Sequence, residues 1–300
     1  MKQKERNLIQ MNNFLKKISI ICPDLIYLKL LYRYKMKKKL NLKNPKTFNE
    51  KLQWLKLYDR KPKYTTMVDK YEVKKYVSSI IGEKYIIPTL DIYNNWEEIN
   101  FEKLPKQFVI KCTHDSGGIV ICKDKSTFNF EEAKIKITKS LKINYFFPTR
   151  EWPYKNVKPR IIIEKYMQNG NDTELIDYKF FCFDGKPQIM YVSEGLNNHS
   201  TAKMGFFDMS FKEINIKRKD YKKFITPPIK PKNLDLMIEI AEKLSKNIPH
   251  IRVDFYLINK RIYFGELTFF TNGGFIPFET DEMDYELGKL IKLPHKKKKW

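Results

Sequence analysis

The dipeptide Asp184-Gly185 separates two apolar runs, Asp177 to Phe183 and Pro187 to Val192. Asp-Gly favours the left-handed dihedrals of a tight hairpin turn, so the two runs are expected to pair antiparallel. Ile251 to Leu257 and Ile262 to Thr268 flank Asn259-Lys260-Arg261 in the same manner. Further strands are expected at Phe108 to Lys111, Ile119 to Cys122 and Arg160 to Glu164, with Tyr85-Ile86-Ile87-Pro88-Thr89 read as a short strand stopped by proline. Helix signals begin at Thr47, where Glu50 completes a capping box, and run from Asp69 to near Gly82, over 130–142 and over 233–247. Frequent hairpins without regular β-α-β spacing argue against a doubly wound parallel sheet and for an α+β class.

A chain of 300 residues, 42% hydrophobic, can build two packed units or one fold of two or three subdomains. Its formal charge of +23 attracts phosphates, acidic polymers, nucleic acid and anionic membranes without choosing among them. No helix-turn-helix, RNP or zinc signature is present, so no nucleic-acid partner is expected. The four cysteines form no C-x-x-C pair, which fits free thiols in a reducing cytoplasm. Ile18 to Leu28 is apolar, but Pro23 and Asp24 interrupt it well short of a membrane span, so a cytoplasmic location is expected. Leu25, Ile26, Leu28, Leu30 and Leu31 have helical spacing with basic residues between them. Such a helix either packs on the main body, the simpler reading, or lies peripherally on an anionic membrane surface at the inner face. Lys296 to Trp300 reads as a frayed basic tail.

Four constellations could carry chemistry. In Lys111-Cys112-Thr113-His114-Asp115-Ser116-Gly117-Gly118, a strand ends near a lysine and a small-residue loop follows. Adjacent glycines let backbone amides turn toward an anion, although a plain Gly-Gly hairpin turn fits as well. Ile161-Ile162-Ile163-Glu164-Lys165-Tyr166 runs a buried strand into charge, where backbone groups could read an adenine edge or simply reach solvent. Asp177 and Lys179 share a strand face, as a functional pair or as a surface ion pair of little worth. The fourth is Arg252-Val253-Asp254 with Gly265-Glu266-Leu267-Thr268. A three-residue turn would set Asp254 opposite Glu266 and Arg252 opposite Thr268, and the repelling carboxylates, with one pKa raised, would suit Mg2+. A two-residue turn would put the acids on opposite faces and destroy the site.

In this order the segments resemble the ATP-grasp superfamily and, more narrowly, the TupA-like ATP-grasp family, named for a teichuronopeptide biosynthesis protein. The resemblance runs from about Phe48 to Leu293 and includes Thr47-Phe48-Asn49-Glu50-Lys51-Leu52-Gln53-Trp54, Asp69-Lys70, Val109-Ile110-Lys111 and Arg150-Glu151-Trp152-Pro153-Tyr154. It implies an ATP-grasp fold of two α+β subdomains and a small lid gripping ATP between antiparallel sheets. The expected organisation is a basic helical extension (1–45), an N-terminal subdomain (46–107), a lid (108–165), a catalytic subdomain (166–294) and a basic tail (295–300).

The resemblance also implies roles. Lys70 and Lys111 would contact nucleotide phosphates, with Ser116, Gly117 and Gly118 on the lid above them. Glu164, Lys165 and Tyr166 would form the adenine hinge, and Glu174 would meet the ribose. Lys179 would approach the nucleotide from the sheet and Arg252 would steady the transferred phosphoryl group. Asp254 and Glu266 would hold Mg2+. Many relatives place Asn two residues after that Glu, whereas here Thr268 occupies the position, with Asn272 as a substitute. The implied reaction is carboxylate–amine ligation through an acyl phosphate, on a cell-surface polysaccharide or a lipid-linked precursor. A glycosyltransferase of the same polymers is the alternative, but no Asp-x-Asp pair ends a strand. The H-R-D and D-F-G motifs of protein kinases are also missing.

Overall fold

The computed structural model of the protein describes residues 17–170, 175–195 and 202–295. Glu174 and the tail 296–300 therefore lie outside the described residues. Among the described residues the strands are β1 (Thr89–Tyr93), β2 (Phe108–Cys112), β3 (Ile119–Cys122), β4 (Ile161–Lys165), β5 (Asp177–Phe183), β6 (Lys186–Glu194), β7 (Lys203–Phe207), β8 (His250–Ile258) and β9 (Arg261–Thr268). They form a four-stranded sheet ordered β1-β4-β2-β3 and a five-stranded sheet ordered β7-β6-β5-β8-β9. Every ladder in both is antiparallel, so the α+β reading holds.

The Asp184-Gly185 turn forms as expected, with φ of 51° and 80° and Phe183 paired to Lys186. The capping box also forms: the Thr47 side chain accepts from the Glu50 N–H while the Glu50 carboxylate accepts from the Thr47 N–H. One expectation needs correcting. Glu83–Tyr85 is a 3-10 turn, Ile86 and Ile87 are buried outside any ladder, and the strand starts only at Thr89. Pro88 has no N–H for a ladder and instead contributes its carbonyl, which accepts from the Lys165 N–H at 3.0 Å.

Two separate apolar cores hold the sheets. The larger one surrounds the five-stranded sheet, with helix Phe48–Tyr58 on one face and helix Leu234–Ser245 on the other. Phe48 packs its ring against Phe181, Phe183 and His250. The smaller core lies under the four-stranded sheet and includes Trp96, Phe108, Ile110, Ile163 and Ile137 of helix Phe130–Leu141.

Helix Asp24–Met36 packs on the main body through Tyr27, Leu28, Leu31 and Tyr32. Arg150 fastens it there. Its guanidinium pairs with Asp24 at 2.8 Å, donates to the carbonyls of Ser19 and Cys22, and stacks 4.2 Å from the Tyr27 ring centroid. Among the described residues no helix is long and apolar enough to cross a membrane.

Candidate active site

The β8–β9 hairpin turns on two residues, Asn259 and Lys260, both left-handed, and pairs Ile258 with Arg261. This is the turn that a regular ladder would make fatal to the site. A β-bulge restores it. Phe255 pairs with Phe264 and Val253 with Leu267, so Asp254 alone faces both Gly265 and Glu266. Strict alternation would force Ile262, Phe264 and Glu266 onto one face. The extra residue lets Ile262 and Phe264 stay buried while Glu266 joins Asp254. Gly265 suits the crowding there, since a Cβ would sit 3.1 Å from the Asp254 carbonyl oxygen.

Arg252 then bridges the two acids. Its Nε and Nη2 donate to the two Asp254 oxygens at 2.6 Å each, and Nη2 also reaches Glu266 Oε1 at 2.7 Å and Thr268 Oγ1 at 3.0 Å. Thr268 donates in turn to Glu266 Oε1 at 3.0 Å. On β5, Lys179 Nζ donates to Asp177 Oδ1 at 2.8 Å and to Asp254 Oδ2 at 2.9 Å. This pair is buried, with side chains 9% and 8% exposed, so the surface-pair reading does not apply. Burial works against charge on Arg252 and Lys179, but their acidic neighbours reverse this and raise both well above their ordinary values.

The acids do not behave as an isolated repelling pair. Burial pushes the Glu266 carboxyl up, yet Arg252, Lys179 and Lys70 outweigh it and hold it at about 2. The expectation of a raised pKa is therefore corrected for Glu266, because a guanidinium already separates the two carboxylates. The Glu266 side chain remains 45% exposed toward the cleft, so an ion can reach it. Two carboxylates and a hydroxyl at one place fit a hard cation that takes its other ligands from phosphate and water. The Asn272 amide N–H donates to the Phe275 carbonyl at 3.0 Å within its own loop.

A cavity of about 230 Å³ opens between the sheets and is lined by Lys70, Lys111, Ser116, Glu164, Lys179 and Glu266, among others. Its apolar walls include Met67, Val68, Ile86, Ile87, Phe264 and Leu267. Glu164 pairs with Lys111 Nζ at 2.5 Å and also with Lys74. Burial raises its pKa, but Lys111 and Lys74 bring it down to about 2. Lys74 escaped the sequence reading. It sits on helix Glu72–Ile81, which pattern alone marks only as amphipathic. Lys70 donates to the Asp115 carbonyl and thereby touches the Gly-rich loop.

That loop is built differently from expectation. The Asp115 carboxylate accepts the Gly118 N–H at 2.9 Å and also binds Ser140 of helix Phe130–Leu141, so this amide is occupied internally. Gly118 is needed for close packing, because a Cβ would lie 2.6 Å from Ser140 Oγ. Gly117 has open space around it, and Ser116 Oγ lies 2.6 Å from the Tyr145 hydroxyl. Lys165 and Tyr166 do not join Glu164. They line a separate groove with Lys106, Gln107 and Lys123: Lys165 points to the strand face opposite Glu164, and Tyr166 lies past the end of β4.

The family model for TupA-like ATP-grasp proteins matches residues 50–292. No curated protein matches the chain significantly. Among solved structures, D-alanine–D-alanine ligase from Helicobacter pylori is 17% identical with a TM-score of 0.42, over 82% of this chain and 69% of that one. The Bacillus anthracis ligase complexed with ATP is also 17% identical, with a TM-score of 0.37 over 68% of this chain and 53% of that one. The ATP-grasp ligase PsnB is 10% identical, with a TM-score of 0.40 over 73% of this chain and 57% of that one. This chain thus spans between roughly half and two thirds of the length of these structures. The match of the family model over most of the sequence, in the order of motifs that builds the cleft, shows that the chain belongs to the TupA-like ATP-grasp family.

Proposed function

We propose that the protein is an ATP- and Mg2+-dependent carboxylate–amine ligase that modifies a cell-surface acidic polysaccharide or its precursor. The single observation that carries this reading is one cleft in which the amines of Lys70, Lys111 and Lys179 converge with Asp254 and Glu266. A substrate carboxylate attacks the γ-phosphorus, the bond to the bridging oxygen breaks, and ADP leaves. An amine then attacks the acyl carbon and loses a proton, phosphate leaves, and an amide remains. Such chemistry asks the protein for positioning and charge neutralisation.

Lys70 and Lys111 cover the phosphates, and the apolar walls receive the adenine. Ser116, Gly117 and Gly118 form the lid, and the backbone at Glu164, Lys165 and Tyr166 forms the hinge. Glu174 keeps its ribose role from the family resemblance. Lys179 neutralises Asp254 and approaches the nucleotide, while Arg252, held between the acids, steadies the transferred phosphoryl group. Asp254, Glu266 and Thr268 hold Mg2+, which when bound supplies charge neutralisation on the phosphate oxygens.

The polymer target is supported by the family and by the net charge of +23. A peripheral place at the inner membrane face is supported by the outward side of helix Asp24–Met36. There Ile26 is 53% and Leu30 44% exposed, beside Lys29 and Arg33. The test is product analysis with ATP, Mg2+, a uronate and an amino acid. ADP and phosphate must appear only when both a carboxylate and an amine are present. AMP with pyrophosphate would reject the ligase, and stabilisation by a nucleotide-sugar but not by ATP would favour the glycosyltransferase.

A further inference from the structure

Glu151 is only 4% exposed, yet among the described residues no cation lies within ion-pair distance of it. Its Oε1 accepts from the Thr149 hydroxyl at 2.8 Å, and Oε2 takes no hydrogen bond from the described residues. Lys56 is the strongest positive charge in its field, with Lys35 weaker. Lys56 Nζ, however, spends its protons elsewhere. It donates to Gln53 Oε1 at 2.9 Å and to the carbonyls of Thr149 and Gly273 at 2.7 and 2.5 Å. Burial therefore prevails and raises the Glu151 pKa. A buried acid without a hydrogen-bonded counter-ion is costly, so this position suits a cation supplied from outside the chain.

The carboxylate stands at the edge of the nucleotide cleft. Tyr154 N–H donates to the Glu151 carbonyl at 3.1 Å, and Tyr154 lines the cleft with Ser116, Lys179 and Glu266. Tyr145 packs edge-on against Tyr154, with ring centroids 4.9 Å apart, and its hydroxyl lies 2.6 Å from Ser116 Oγ. Burial first and the Glu151 charge second raise both phenols, so their hydroxyls stay protonated beside it. A second link runs from the reaction centre. Arg252 Nη1 donates to Thr271 Oγ1 at 3.4 Å, and two residues on, a Cβ at Gly273 would lie 3.6 Å from Glu151 Oε1. Two residues of chain span at most about 7 Å. This loop is held in advance. Asn272, Gly273 and Gly274 are all left-handed, while Lys56 and Gln53 bind the carbonyls of Gly273 and Gly274.

We propose that Glu151 seats the amine substrate of the ligase, receiving it as an ammonium ion beside Tyr145 and Tyr154. The carboxylate supplies the counter-charge, and the phenol oxygens can accept its remaining protons. One proton passes from the ammonium to the Glu151 carboxylate. The freed lone pair bonds the acyl carbon, the C–O bond to phosphate breaks with its electrons, and the second proton leaves with the phosphate. The proposal rests on the ligase reading and deepens it, because it assigns the acceptor as an amine that arrives charged rather than as a hydroxyl.

The test compares two amine probes of equal size on the full chain with ATP, Mg2+ and sodium glucuronate at neutral pH. Methylamine is then an ammonium ion, whereas hydroxylamine is neutral. Glu151→Gln should lower N-methylamide formation at least about tenfold more than hydroxamate formation. Glu151→Asp keeps the charge and should recover part of that difference. Where Glu151→Gln fails to fold, Glu151→Asp should still lower the amide more than the hydroxamate. Equal loss of both products, as a structural role would give, or loss of neither overturns the proposal. A second arm needs no turnover. Methylammonium chloride should raise the Tm of the unmodified protein above its value in sodium chloride of the same ionic strength, and Glu151→Gln should abolish the shift. No shift in the unmodified protein, or the same shift in the variant, overturns the seat. Absence of hydroxamate from the unmodified protein would sink the ligase reading instead, and the thermal arm would still decide on Glu151.

Discussion

In the five-stranded sheet, Asp177, Lys179, Arg252 and Asp254 neutralise one another along one face. The four-stranded sheet carries a single buried carboxylate, Glu164, held by Lys111 of β2 and by Lys74 from a separate helix. In the first region the partners sit on adjacent strands, so backbone register fixes their geometry. In the second, long lysine stems from two elements meet one acid, and their reach absorbs small shifts between those elements. The contrast separates a charge network fixed by register from one whose long side chains can adjust. The separate apolar cores beneath the two sheets agree with that division.

The comparison can be broken most directly at Asp254. Asp254→Ala leaves the buried Lys179 and Arg252 short of a partner and should cost about 3–5 kcal/mol in urea unfolding. A loss below about 1 kcal/mol would mean that the network is not the rigid element described. Glu266 is more exposed and should matter more for chemistry than for folding. Glu266→Gln should lower ADP release by about 100-fold or more, with a smaller fall in the urea midpoint than Asp254→Ala produces. In the four-stranded sheet, Lys111→Ala should raise the KM for ATP by about tenfold, roughly 1.4 kcal/mol, and change kcat less. Equal loss in kcat would move Lys111 into the reaction centre.

Acid titration sharpens the contrast further. Glu164 and Glu266 have folded pKa values of about 2 against an ordinary 4.5. Their stabilisation is complete above pH 4.5 and is lost as pH falls toward 2. His250 acts earlier. Burial among aromatic rings lowers it from 6.5 to about 3, so it stays neutral when folded. Its contribution is complete above pH 6.5 and declines as pH falls toward 3. Unfolding free energy should therefore begin to fall near pH 6.5 and steepen below 4.5. His250→Phe should flatten the segment between 6.5 and 5, at a cost of about 1–2 kcal/mol for the lost hydrogen bond to Cys182. An unchanged profile would assign the early phase elsewhere.

Local signals were readable where the chemistry is local. The Thr47–Glu50 cap, the Asp184-Gly185 turn and the helix from Phe130 all follow from short stretches of chain. What needed the fold is what tertiary contacts decide. Sequence patterning left two turn lengths open at Asn259. Neither alone describes the hairpin, because burying Ile262 and Phe264 selects the short turn while Glu266 needs the bulge. Lys74 reaches Glu164 from 90 positions earlier in the chain, beyond any local pattern. The Gly118 amide, free to bind an anion on paper, is claimed by Asp115 three residues away. Proline after Ile87 marked the correct discontinuity but the wrong side of it, since the ladder follows Pro88 rather than preceding it.

The bulge at Gly265 carries one more implication, for how this hairpin tolerates changes in length. Residues beyond it keep their partners whether or not the extra residue is present: Val253 still meets Leu267, and Arg252 still meets Thr268. Loss of that single position would iron the ladder flat and leave the acid on its proper side. The inner end of the hairpin thus stays in register with or without that one residue of slack.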